Sequence, residues 1–280
     1  MQLKRFVVFL LLVALLLPMI PPVTRTASSD TVCVRKHVSL VYDNSGSMSS
    51  DVDNGKNLKW TYASYATQIF AGLLNDTDSL TVTLMNSNKG TKTLEVDLTA
   101  DRQKQVDKIR DITNYAKGLT PFASVTDAEK VLVQKGLLTD AQIGSNVINK
   151  SEQYWLVLTT DGLFENGNKS REETERDLEA LLKKYSNLQL VYFGIGTEGN
   201  SADSAMDLRD SAKLNAYPNF TAVYAEKQEE IVTTMQTLAN RISGRYSVTK
   251  GIQFNGTEVT LRVSGETSPI RNIAVLCLYV

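Results

Sequence analysis

The sequence predicts an α/β fold: a doubly wound, mostly parallel sheet with one antiparallel edge strand. Two observations carry this. Short, bounded apolar runs at 38–42, 154–160 and 188–195 lack the in/out alternation of a half-exposed strand, as expected of strands covered on both faces. Amphipathic helical patterns separate them, the arrangement that wraps helices around a parallel sheet. The edge strand follows from the alternating segments 78–85 and 93–98, joined by the polar residues 86–90 and read as a hairpin.

In chain order, residues 32–42 read as a strand whose second half is the more apolar. Residues 57–74 carry Tyr62, Tyr65, Ala66, Ile69 and Leu73 at helical spacing. After the hairpin, Thr99 is placed to cap a helix over 100–112 with Val106 and Ile109 inward. Pro121 suits a first helical turn, so Thr120 is expected at or near the N-cap of a helix over 122–138. An irregular connector, 139–151, leads to the apolar strand 154–160 and then Asp161-Gly162. Ser170 and Glu173 have capping-box spacing and open a helix to Tyr185, with Thr174, Leu178, Leu181 and Tyr185 buried. A strand over 188–195, a short helix over 202–212 and a strand over 220–224 follow. The last helix, 226–242, aligns Ile231, Met235, Leu238 and Ile242 on one stripe. From 246 to 280 the pattern changes to strands at 258–263 and 272–280, too few residues for an independent sandwich. They either extend the main domain or begin a second, all-β domain; the second is the expectation here.

Composition removes several classes of function. The chain has 280 residues and a net charge of -1, which gives no electrostatic footprint for nucleic acid. It has 1 histidine, His37, and 2 cysteines, Cys33 and Cys277. A zinc site of Cys and His lacks ligands, and a Ser-His-Asp triad would have to use His37, which falls inside the first strand pattern. Residues 1–28 combine Lys4 and Arg5, an apolar run at 6–17 and a small-residue exit near Ala27. This is the pattern of a secretory signal peptide, with an uncleaved N-terminal anchor as the alternative. Either way the rest of the chain is expected outside the cell or at its surface, touching membrane through an anchor alone. There Cys33 and Cys277 can pair or stay apart. Asn-x-Ser/Thr sequons begin at Asn75, Asn149, Asn168, Asn219 and Asn255.

The chemistry-bearing residues gather at strand ends. Asp43, Ser45 and Ser47 alternate directly after the first strand, and Gly46 lets the backbone curl so that their oxygens converge. Thr120 opens a helix, and Asp161 follows a central strand. In an open α/β sheet, ligands collect beyond the carboxyl ends of the strands. A cage of hydroxyls with two carboxylates suits a hard divalent cation and leaves it under-neutralised, able to take another anion.

Asp43-x-Ser45-x-Ser47, Thr120 in Thr-Pro and Asp161 in Thr-Thr-Asp-Gly resemble the metal-ion-dependent adhesion site of von Willebrand factor type A domains. The resemblance spans 33–243 and implies that family's Rossmann-like fold. It implies Mg²⁺, or Mn²⁺ or Ca²⁺, ligated by Ser45, Ser47 and Thr120, with Asp43 and Asp161 acting directly or through water. It further implies an open coordination position for an Asp or Glu of a partner protein. Phe122-Ala123-Ser124 departs from the Gly-containing continuation common in bacterial relatives.

Enzyme patterns are poorly matched. A haloacid-dehalogenase-like site needs a second Asp where Ser45 stands. Neither a Gly-x-Ser-x-Gly elbow nor a Walker-type phosphate loop occurs, and Asp51, Asp53 and Gly55 do not complete a calcium loop. The sequence therefore points to a non-enzymatic protein-binding module. The alternative is an ectodomain in which the metal stabilises or organises structure without capturing a ligand.

Overall fold

The computed structural model describes residues 34–49, 59–114, 118–144, 152–162, 164, 168–195, 208–225, 227–244, 252–255 and 258–261. The leader pattern at 1–28, both cysteines, the loop with Asp51 and Asp53, and the strand expected at 272–280 lie outside these residues.

The first strand, β1 (Arg35–Tyr42), pairs in parallel with β2 (Ser79–Asn88) on one side and β4 (Glu152–Thr160) on the other. Antiparallel β3 (Thr91–Val96) closes one edge, while β5 (Leu188–Ile195) and β6 (Phe220–Ala225) extend the other in parallel. The six-stranded order is β3-β2-β1-β4-β5-β6. This is the doubly wound sheet with one antiparallel edge that the apolar runs predict.

Each central strand feeds two cores, because successive side chains leave a strand on opposite faces. Leu40 and Tyr42, Trp155 and Val157, and Val191 and Phe193 join one cluster. Helices α1 (Lys59–Leu73), α2 (Arg102–Ile112) and α7 (Gln228–Ser243) cover it with Ile69, Phe70, Ile109, Ile231 and Met235. Val41, Leu156, Leu158, Leu190 and Tyr192 face the other cluster, under α3 (Ala123–Gln134) and α5 (Arg171–Lys184). Short helices α4 (Asp140–Ile143) and α6 (Ala212–Asn215) complete that layer's connections. Among the described residues no helix is long and apolar enough to cross a membrane.

Local signals resolve unevenly. The Ser170–Glu173 capping box forms as expected, Ser170 Oγ accepting from Glu173 N at 3.2 Å and Glu173 accepting from Ser170 N at 2.8 Å. Two expected caps do not. Helix α2 is capped by Asp101, whose carboxylate accepts from the amides of Gln103 and Lys104; the Thr99 hydroxyl instead donates to Asp97 at 2.7 Å. An ionised oxygen with two amides in reach outcompetes a hydroxyl already held by a neighbour. The N-cap of α3 is Phe122 in helical conformation with no side-chain cap bond, so Thr120 lies ahead of the helix. Val106 is half-buried and Gln105 takes the buried position beside Ile109. The 139–151 connector contains α4, closed by a Thr139–Gln142 capping box. The helix expected over 202–212 falls largely outside the described residues, which show α6 at its end. Beyond α7, β7 (Ile252–Asn255) and β8 (Glu258–Leu261) pair antiparallel in a separate two-stranded sheet.

Candidate metal centre

The sheet changes winding direction between β1 and β4: the chain leaves β1 for β2 on one side and later lays β4 on the other. Loops diverge at such a point and leave a crevice above the strands' carboxyl ends. Asp43 and Asp161 are the first residues past those two strands. Backbone pairing carries one step beyond the register pair Tyr42–Thr159, with Asp43 N donating to Thr159 O at 3.0 Å.

The first loop folds on Asp43. Its Oδ1 accepts from Ser45 N at 2.9 Å, an Asx-type turn that points the chain back on itself. Ser45 Oγ and Ser47 Oγ then lie 3.1 Å apart, sharing a hydrogen. Buried Met48 anchors the single 3-10 turn Ser47–Ser49 beneath them. Thr160 Oγ1 donates to Asp43 Oδ2 at 2.7 Å while accepting from Gly162 N at 3.1 Å, so one hydroxyl locks both strand ends. Replacing Thr160 by Val is expected to destabilise the protein by about 2 kcal/mol, because a buried amide and a buried carboxylate each lose a partner. Chemical denaturation of the metal-free protein checks this, and a loss under 0.5 kcal/mol would contradict it.

The second loop is pinned to the first and to β2. Asn44 and Asn86 pair reciprocally, side chain to backbone, at 2.8 Å each way, prolonging the β1–β2 ladder past its last strand residue. The Asn86 amide also donates to Leu119 O at 2.6 Å, and Gly46 N donates to Gly118 O at 3.1 Å. A Cβ on Gly118 would fall 1.9 Å from Asn86 Oδ1, so a side chain here would push the Asn86 amide off Leu119 O. Buried Thr120 follows directly. Beyond it, Phe122 meets Phe164 edge-on at 5.2 Å and carries Lys169 Nζ 4.5 Å above its ring. The aromatic pair joins the loop after Asp161 to the loop with Thr120, giving Phe122 a packing role the sequence does not disclose.

Asp43, Ser45, Thr120 and Asp161 are buried and Ser47 is half-buried. Burial, then the charge of Asp161, raises the Asp43 pKa to about 7 against the opposing bonds from Ser45 and Thr160. Asp161 Oδ2 faces Lys59 Nζ at 3.4 Å, and its Oδ1 is buried with no hydrogen-bond partner. Lys59, Asn44, Asn86, Gly118 and Thr160 are site residues that sequence reasoning missed. Each acts through a residue distant in sequence or hides inside a strand or helix pattern.

His37 has no place in this centre. It lies toward the amino end of β1, buried, stacked on Tyr154 at 5.2 Å and bonded through Nδ1 to Ser79 Oγ at 2.9 Å, with burial lowering its pKa. It is the structural strand residue expected.

The six-stranded, mostly parallel sheet with one antiparallel edge is a Rossmann-like architecture that solved structures share. Similar solved structures include a von Willebrand factor type A protein from Catenulispora acidiphila, 17% identical with TM-score 0.49, over 78% of this chain and 43% of that one. The PilB minor pilin of Streptococcus sanguinis is 13% identical with TM-score 0.50, over 75% of this chain and 61% of that one. Manganese-loaded TRAP of Plasmodium vivax is 17% identical with TM-score 0.42, over 74% of each chain. At these identities the likeness is one of fold. No protein-family model and no curated protein matches the sequence.

Proposed function

We propose that the chain is a secreted or surface-held, non-enzymatic binding module that captures an acidic side chain of a partner protein through a divalent cation. The cation would be held by Ser45, Ser47 and Thr120 through hydroxyls and by Asp43 and Asp161, directly or through water. The observation that carries this reading is Asp161 Oδ1, a buried carboxylate oxygen with no hydrogen-bond partner at the edge where the serine hydroxyl pair converges. Leaving such an atom unsatisfied is costly, and a cation satisfies it. Both oxygens of Asp43 are already engaged, which suits contact through a bound water. Among the described residues no group of three or more His, Cys, Asp or Glu is placed to hold a metal. A hydroxyl-rich set with two carboxylates does not form such a group, and it suits Mg²⁺ or Mn²⁺, which keep water in their coordination shells.

When bound, the cation supplies a positive centre not fully neutralised by the protein. The chain positions the hydroxyls, holds Asp43 through Ser45 and Thr160, and leaves Gly46 and Ser47 partly exposed as the way in. Burial of both carboxylates also supports the second reading, in which the metal stabilises the fold without capturing a ligand.

Metal titration with a thermal readout tests the reading. At Mg²⁺ or Mn²⁺ about a hundredfold above the dissociation constant, the wild type should melt about 5–10 °C higher, and Asp43→Ala should not respond. No shift in the wild type removes the metal site. Metal-dependent binding of Asp- or Glu-bearing peptides over their Asn or Gln counterparts supports capture; equal binding leaves the structural reading.

A further inference from the structure

The feature that neither the motif nor the fold accounts for is Lys59. It is the first residue of α1, its side chain is 6% exposed, and its Nζ lies 3.4 Å from Asp161 Oδ2. An ammonium is poorly placed there on two grounds. Burial strips its hydration. The amino end of a helix carries partial positive charge, which repels it. Its compensation is Asp161, and that carboxylate is shared with the candidate metal centre.

We propose that Lys59 is the resident cation of this centre: it neutralises Asp161 in the metal-free protein and must yield that carboxylate for a divalent ion to be held, so that it sets the site's metal affinity. The inference rests on the metal-site reading above. Its logic is charge counting. Asp43 and Asp161 are two buried carboxylates at the ends of neighbouring strands, and like charges held together in the interior repel each other. One ammonium beside them keeps the pair together without metal. The same ammonium next to a doubly charged ion, both drawn to oxygens of one carboxylate, is strongly repelled. Metal affinity in oxygen-ligand sites follows the net charge of the ligand set, and Lys59 subtracts one negative charge from it. The affinity is therefore lower than the two carboxylates alone would give. The site fills when the cation is plentiful and does not collapse when it is scarce.

The test is calorimetric titration with Mg²⁺ alone, and with Mn²⁺ alone, on wild type, Lys59→Met, Lys59→Gln and Asp161→Asn. Methionine keeps the apolar stem without charge. Glutamine keeps a hydrogen bond within reach of Asp161 and serves if the methionine variant does not fold. Both Lys59 variants are expected to bind metal at least about tenfold more tightly than wild type, and Asp161→Asn more weakly. In chelator, both Lys59 variants should melt below wild type, with the gap closing as metal is added. Wild-type binding that is unchanged or weakened in both Lys59 variants overturns the role of Lys59 and leaves the metal site standing. Absence of uptake in all four proteins overturns both. Uptake by the Lys59 variants with none by wild type supports the inference in its strongest form.

Discussion

Asp161→Ala is expected to lower the stability of the metal-free protein by about 3–5 kcal/mol, well beyond an ordinary surface change. The loss is not that of a ligand, since chelator removes any metal from the comparison. It arises because Lys59, 6% exposed against a carboxylate that is 1% exposed, keeps its charge in the interior with its counterion gone. Relief of Asp43 offsets part of the loss, because Asp161's charge is one of the causes raising the Asp43 pKa. The diagnostic is the double variant. Asp161→Ala with Lys59→Met removes the stranded charge as well as its partner, and replacing a buried ion pair by apolar groups of similar volume is often close to neutral. Urea midpoints in chelator, at an unchanged denaturant slope, should place the double variant nearer to wild type than to the single. A single variant within 1 kcal/mol of wild type, or a double variant no better than the single, would show that the Lys59–Asp161 pair bears little on stability.

The asymmetry between what the sequence discloses and what it conceals follows the range of the interactions. Strand β5 and the Ser170 capping box depend on residues adjacent or three apart, and both are legible to the residue. The apolar runs identify β1 and β4, and a doubly covered sheet then delivers Asp43 and Asp161 to one edge, because parallel neighbours share a carboxyl end. Failures occur where two local solutions compete. Thr99 and Asp101 are both reasonable caps, and the choice depends on the Thr99 hydroxyl having a nearer acceptor in Asp97. Thr120 before Pro121 looks like a cap because proline favours a first helical turn, yet the helix begins later, at Ala123.

The rest of the centre is assembled by contacts that no local pattern encodes. Asn44 and Asn86 read as turn residues but serve as a continuation of the β1–β2 ladder. Thr160 reads as the last strand residue, with nothing to mark its hydroxyl as the link between two strand ends. Lys59 falls within the helical pattern over 57–74, and its burial becomes evident only once α1 is laid on the sheet beside Asp161. In physical terms, sequence alone marks the oxygens proposed here to hold a cation. Tertiary structure supplies the charges and hydrogen bonds that set how tightly.

The pH dependence of stability should accordingly run opposite to that of a salt-bridged carboxylate. Asp43 titrates at about 7 in the folded chain against a usual 3.8, because burial and then Asp161 disfavour its charge. Between those values the folded chain holds a proton that the unfolded chain has lost. Stability is therefore greatest, as far as this group is concerned, below about pH 4. It falls as pH rises toward 7 and levels above. Protonated Asp43 also keeps its bonds, since an Oδ2 hydroxyl can donate to Thr160 Oγ1, which has a lone pair left beside the bond from Gly162 N. Asp43→Asn, neutral at every pH, should remove this component, so the difference between the two proteins' denaturation curves in chelator isolates it. Metal reverses the sense. A cation site requires the ionised form, so loading expels that proton, and Mg²⁺ affinity should climb up to about tenfold per pH unit from 5 to 7 before flattening. Affinity that is flat over that interval would mean that Asp43 is already ionised in the metal-free protein. The alternating pair Ser45 and Ser47 would then share the site with a permanent charge, and the barrier to holding a cation would reside with Lys59 alone.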